Sequence, residues 1–262
     1  MKKIRVLILR TAGTNCDYET QTAFELCGAF VERIHINSLN DKRDKIFEYD
    51  ILVFPGGFSY GDDIASGKIL ANEIKNKFGD KVKKFALSGK PIIGICNGFQ
   101  VLLKMGLLPD PVFFEQTSTL YYNDSGKFEC RWVYLKIEKK VKNESNCIWT
   151  KNMPDLISLP VAHGEGKFIM NDKKLLNSLN TNNQIVLKYS TKNGDEPKYP
   201  LDPNGSVKQI AAICNTKGNI FGLMPHPERY VFALQHPAKE RIDSSEYGFG
   251  KIIFQNAVDF VK

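Results

Sequence analysis

The pentapeptide Gly94-Ile95-Cys96-Asn97-Gly98 puts a thiol between two glycines, where an apolar run (91–95) gives way to a helix-like start. The spacing G-x-C-x-G is the thiol form of a strand–nucleophile–helix turn. Such a turn is so sharp that side chains two residues to either side of the nucleophile would collide, and glycine removes them. A thiol held there gains exposure and sits at a helix N-terminus, whose partial positive charge favours the thiolate. The backbone N–H of Asn97 is placed to stabilise an oxyanion. The chemistry predicted is attack on a carbonyl, with Cys96 as nucleophile.

A nucleophilic thiol needs a base, and the chain has four histidines. His35 lies in the strand-like AFVERIHI and His236 in LQHPA; structural or surface roles are expected for both. His163, in VAHGEGKF, reads as part of a loop. His226 stands in GLMPHPERY, directly after the last strand-like run. Pro227 is expected to hold the chain extended there, so that side chains 226 and 228 project to one side. Glu228 could then accept from one imidazole nitrogen while the other faces the thiol, an orienter–base–nucleophile triad. A second oxyanion donor is expected from Gly56-Gly57-Phe58 in FPGGFSYGDD, whose backbone N–H groups have little steric cover.

The elements that must position these groups follow from the pattern of apolar residues. IRVLILR (4–10), AFVERIHI, DILVF (50–54) and PIIGI (91–95) are short apolar strands. Helical stretches separate them at 17–28, with Asp17 as cap and Gly28 as terminator, and at 68–78. This alternation predicts an α/β fold, an open and mostly parallel sheet flanked by helices. Ligands of such sheets sit beyond the carboxyl ends of the strands, so loops 11–16, 55–62 and 96–100 should share one rim. From about residue 111 the segments turn β-rich: TLYYN, ECRWVYLKI, NQIVLKYS, KQIAAICN and NIFGLMP. NTKGN between the last two reads as a hairpin turn, giving additional β-hairpin strands in the second half. A terminal helix, FGKIIFQNAVDFVK, follows. No repeat or long linker divides residues 1–262, which are read as one domain.

Composition narrows the function classes. Apolar content of 42% and charged content of 25% describe a globular chain. No run approaches the roughly 18–20 apolar residues of a membrane span. Arg5 and Arg10 interrupt the apolar N-terminal run, which is read as a first strand rather than a leader; a cytoplasmic protein is expected. The net charge of +7 comes mostly from lysines mixed with acids, as in EIKNKFGDKVKK, and is read as a solvated surface rather than a nucleic-acid site. Six scattered cysteines lack the spacing of a zinc site, so no metal is expected, and most are read as small buried groups. GDDIASGKI (61–69) superficially resembles a phosphate loop. It has one residue too many between its glycines, Ile69 where magnesium needs a hydroxyl, and two aspartates that repel phosphate.

Together FPGGFSYGDD, GKPIIGICNGFQVLLKMGLLPD, SGKFECRWV, PVAHGEGKF and GLMPHPERY resemble the class I (triad) glutamine amidotransferases, a flavodoxin-like fold. More narrowly they are similar to the glutaminase-subunit family of phosphoribosylformylglycinamidine synthase, from TAGTNCD near the start to PHPER near the end. The resemblance implies that Cys96 attacks L-glutamine, with His226 as general base and acid and Glu228 as its orienter. Gly57, Phe58 and Asn97 would frame the oxyanion, Gln100 would contact glutamine, and Arg131 and Trp132 would border the pocket. His163 would lie near a partner interface, with no catalytic role assigned. Ammonia would pass to a separate synthetase subunit, which holds the ATP and magnesium, and a small third subunit would join the complex; this chain would need no cofactor. After Gly61-Asp62 the family commonly has an aromatic-aliphatic-arginine run, whereas this chain has Asp63-Ile64-Ala65-Ser66-Gly67. The residues themselves leave open another triad amidotransferase, a stand-alone γ-glutamyl hydrolase, or a non-catalytic redox or binding protein on the same scaffold.

Overall fold

The computed structural model describes residues 3–39, 43–111, 114–138, 146–170, 172–241 and 246–262. The first half alternates as expected: β1 (Arg5–Arg10), α1 (Asp17–Glu25), β2 (Phe30–His35), β3 (Ile51–Phe54), α2 (Lys68–Leu87), β4 (Ile92–Ile95) and α3 (Asn97–Met105). Then come β5 (Thr119–Tyr121), β6 (Glu129–Ile137), β7 (Leu156–His163), β8 (Lys167–Ile169), α4 (Lys173–Thr181), β9 (Ile185–Ser190), β10 (Ile210–Cys214), β11 (Ile220–Leu223) and α5 (Phe249–Val261). Among the described residues nine strands form one sheet, in the order β2-β1-β3-β4-β11-β10-β9-β6-β7, and β5 pairs with β8 apart from it. The five strands from β2 to β11 run parallel, and β10, β9, β6 and β7 extend the sheet antiparallel.

The parallel strands are buried because helices cover both of their faces, which is why they read as unbroken apolar runs: Val6 to Leu9 and Ile51 to Phe54 are at most 1% exposed. Strand order reverses between β2 and β3. Right-handed crossovers therefore put α1 on one face and α2 on the other, with a switch point between β1 and β3. Helix α5 packs on α1, where the Phe24 and Phe254 rings meet edge to face with centroids 4.9 Å apart. The loops beyond β1, β3 and β4 share one rim: Tyr60 N–H donates to Ala12 O (2.9 Å), and Ser59 N–H to the Asn97 side-chain oxygen (3.3 Å).

Several local expectations change. Asp17 does not cap α1; Cys16 occupies that position without its side chain capping the helix, and the Asp17 carboxylate pairs with Arg33 (3.0 Å) and Arg10 (3.6 Å). Residue 78 is not the end of α2 but a break inside it, where Phe78 takes φ −152° before the helix resumes to Leu87. His163 is not in a loop: it ends strand β7, which the sequence pattern hid behind Pro160. As a sheet edge, β7 tolerates a residue without an N–H. Of the six cysteines, five are buried and Cys130 is exposed. The NTKGN turn does join two antiparallel strands, β10 and β11. None of the helices among the described residues is long and apolar enough to cross a membrane.

Candidate active site

Cys96 links β4 to α3 with φ 51° and ψ −106°, a conformation that side chains rarely adopt. The fold forces it. Cys96 N–H donates to Leu223 O of β11 (2.8 Å), while Phe99 and Gln100 N–H already donate to Cys96 O to start the helix. The flanking glycines are required by packing. A Cβ on Gly94 would lie 2.6 Å from Gly98 O, and one on Gly98 would lie 1.8 Å from Phe54 O. Cys96 itself is 5% exposed, buried rather than exposed as the turn suggested. The cover comes from the end of β7 and the segment after it: the thiol reaches Ala162 O (3.7 Å) in β7, and Gln100 Nε2 donates to Glu165 O (2.7 Å), drawing the following segment over the start of α3.

His226 and Glu228 come together by a different local geometry from the expected extended chain. Pro227–Arg229 form a turn of 3-10 helix, with His226 preceding it. Proline's fixed φ suits this turn as well as an extended chain. His226 Nδ1 lies 2.5 Å from Glu228 Oε1, with both residues at most 1% exposed. Among the described residues the buried Nε2 has no hydrogen-bond partner, so it remains available to a reacting group. Burial disfavours the imidazolium, but the charge of Glu228, helped by the neighbouring sulfurs of Cys96 and Cys16, outweighs it and holds the His226 pKa well above its ordinary value. β11 runs parallel beside β4, and that neighbourhood carries the imidazole to the thiol.

The oxyanion frame is narrower than expected. Phe58 N–H is not free: it donates to Gly13 O (2.9 Å), and Asn15 N–H donates to Gly56 O (3.4 Å), closing a bridge between Thr14 and Gly57. This pattern leaves Gly57's own N–H outside the ladder. Gly57 has φ 147° and a Cβ there would lie 2.6 Å from Gly13 O, so only glycine fits. Asn97 N–H, in the first turn of α3, has no intrahelical acceptor. Gly57 and Asn97 are thus the candidate pair of amides for an oxyanion, while the Phe58 ring stands 44% exposed on the rim beside Phe128 (6.1 Å).

The remaining expected contacts are engaged elsewhere. Gln100 is 3% exposed and spends its amide on Glu165 O and on Asn97 Nδ2 (2.9 Å). Arg131 pairs with Glu129, donates to Pro200 O (3.1 Å) and lies over the Tyr199 ring. Trp132 packs on Tyr230 and His236. His163 is fixed by Asn123, whose Oδ1 lies 3.0 Å from Nδ1, and burial above all, then the charge of His226, pushes its pKa down to about 3. The loop that resembles a phosphate site instead wraps a carboxylate, with Asp62 accepting from Ser66 Oγ (2.9 Å) and Gly67 N–H (3.2 Å).

Sequence reasoning missed Cys16 and Arg229, which join the His226–Glu228 pair. No signal in the chain relates residue 16 to residue 226; only the adjacency of loops at the rim does. Cys16, His226 and Glu228 place one donor atom each within 4.8 Å of one another. This set does not suit a metal, because the imidazole Nδ1 is bonded to Glu228 and the Arg229 guanidinium sits on the Cys16 sulfur (3.0 Å).

An elbow thiol beside an imidazole–carboxylate pair, at the carboxyl ends of a parallel sheet, has the geometry of the triad amidotransferases. A family model described as the CobB/CobQ-like glutamine amidotransferase domain matches residues 3–261. The phosphoribosylformylglycinamidine synthase subunit PurQ of Dehalococcoides mccartyi is 47% identical over 100% of this chain and 99% of that protein. Its counterpart in Treponema denticola is 44% identical over 91% of this chain and 92% of that one. A chain in the structure of PurLQS from Thermotoga maritima superposes with a TM-score of 0.75 and 33% identity, covering 100% of both chains. The chain belongs to the glutamine amidotransferases and, within them, to the family of PurQ subunits.

Proposed function

We propose that this chain is the glutaminase subunit of a phosphoribosylformylglycinamidine synthase, hydrolysing L-glutamine at Cys96 and supplying ammonia to a synthetase subunit. The observation that carries the catalytic reading is the 2.5 Å contact of His226 Nδ1 with Glu228, which leaves Nε2 without a partner among the described residues on a ring that the Cys96 sulfur also acts on. The Cys96 thiolate attacks the carbon of the γ-carboxamide, and the N–H groups of Asn97 and Gly57 hold the resulting oxyanion. The imidazolium of His226 passes its proton to the departing ammonia, leaving a γ-glutamyl thioester. Neutral His226 then takes a proton from water as it attacks the thioester, and glutamate leaves with the thiol restored. Glu228 keeps Nδ1 protonated throughout, so Nε2 is the nitrogen that exchanges protons.

The relatives point to assembly: one is a chain of a PurLQS complex. We assign this chain a synthetase partner that holds ATP and magnesium, a small third subunit and a place in the cytoplasm. The test uses the reconstituted complex. Cys96→Ala should abolish synthesis driven by glutamine and leave synthesis driven by added ammonia intact, and a glutamine-analogue electrophile should label Cys96 alone among the six thiols in mass spectrometry. Loss of both syntheses, or label on another cysteine, would overturn the assignment.

A further inference from the structure

We infer that Cys16 is a positioning residue for His226, its sulfur seating the imidazole edge and anchoring Arg229 beside the Glu228 carboxylate; this rests on the reading of His226 as the general base. Cys16 is 0% exposed, and its backbone is pinned at the rim, with its N–H donating to Gly56 O (3.2 Å) and its O accepting from Thr20 N–H and Oγ1 (3.1 and 2.6 Å). Among the described residues the sulfur has three polar neighbours. The thiol donates to Asn15 Oδ1 (3.1 Å), the sulfur accepts from Arg229 Nη2 (3.0 Å), and His226 Nδ1 lies 4.0 Å away. Arg229 in turn brings Nε to 3.9 Å from the same Glu228 oxygen that binds Nδ1. One sulfur thus touches both groups that flank the imidazole–carboxylate bond.

Space and charge explain a thiol here. A Cβ on Gly56 would lie 3.2 Å from the Cys16 sulfur and 3.0 Å from His226 Cε1, so sulfur and ring rest side by side on the bare α-carbon of Gly56. A serine oxygen is smaller and sits closer to its own backbone, which leaves that seat underfilled. Burial, with a smaller contribution from Glu228, raises the Cys16 pKa against the opposing effects of His226 and Arg229. Cys16 stays a thiol, giving its proton to Asn15 and its lone pairs to Arg229, and does not compete with Cys96 as a nucleophile. The charged and titratable groups around the ring are Glu228, Cys96, Cys16, Arg229 and His163. The Cys16 contact is one that raises the ring's pKa.

The experiment compares Cys16→Ala and Cys16→Ser with the parent chain in the reconstituted complex, reading glutaminase kcat, KM and the pH profile, with thermal unfolding alongside. A misplaced proton donor should cut kcat by about tenfold, leave KM for glutamine within about twofold, and move the alkaline limb to lower pH. Serine should recover part of the loss at equal folded fraction. Unchanged kcat and alkaline limb in both variants would overturn the inference, as would a loss that tracks the unfolded fraction alone or appears only in KM. If Cys16→Ala does not fold, Cys16→Ser decides by the same readings. Failure here leaves Cys96 essential, whereas failure of the underlying reading would show as glutaminase surviving Cys96→Ala.

Discussion

In the proposed mechanism the proton chemistry turns first on one short contact, His226 Nδ1 to Glu228 Oε1. The folded pKa of His226 lies above its unfolded value of about 6.5. The charged pair therefore contributes its full stability below about pH 6.5 and loses it as pH rises through the folded value. Glu228→Gln removes the charge that holds the imidazolium. Its alkaline limb should move to lower pH in kcat/KM profiles, and kcat should fall by about 10²–10⁴-fold; an unmoved limb would assign it to another group. At this scale the sequence was legible where chemistry is local. Cys96 between its glycines and Glu228 two residues from His226 declare themselves by spacing. Cys16 does not, since its partners are set by three loops meeting. Phe58 was misjudged because nothing in FPGGFSYGDD announces that Gly13 claims its amide.

The elements hold these residues by close backbone approach, and that makes a graded prediction possible. Gly98→Ala places a methyl 1.8 Å from Phe54 O, so α3 must lift off β3. Urea denaturation should register a loss of about 3 kcal/mol or more, with glutaminase activity gone. Gly89→Ala is the contrast: at φ 84° with nothing within 4 Å, it should cost about 1–2 kcal/mol of left-handed strain and keep activity. Parity of the two variants in urea would mean that backbone freedom, not contact, fixes the elbow. The parallel strands were readable because burial on both faces writes an unbroken apolar run. Strand β7 was not, although Ile157, Leu159, Val161 and His163 alternate inward, because Pro160 speaks against a strand unless the strand is known to lie at an edge. The turn at 227 was likewise ambiguous, since proline serves both a turn and an extended chain.

At the scale of the whole molecule, a covered thiol and an exposed rim suggest control by association. Cys96 is 5% exposed beneath the segment that Gln100 ties down, while Phe58 and Phe128 stand half exposed nearby. The isolated chain should turn glutamine over slowly and speed up at least about tenfold when the synthetase subunit is added; steady full activity alone would favour a stand-alone hydrolase. The sheet order carries one more consequence. β11, the last strand in chain order among the described residues, is not at an edge but is inserted between β4 and β10, where Leu223 receives the Cys96 amide. A polypeptide that stops short of residue 223 therefore has the sulfur but neither the carbonyl that fixes its bend nor the imidazole that follows Leu223. On the proposed mechanism, amide cleavage should therefore begin only once residues 220–228 have entered the sheet and the turn that follows it.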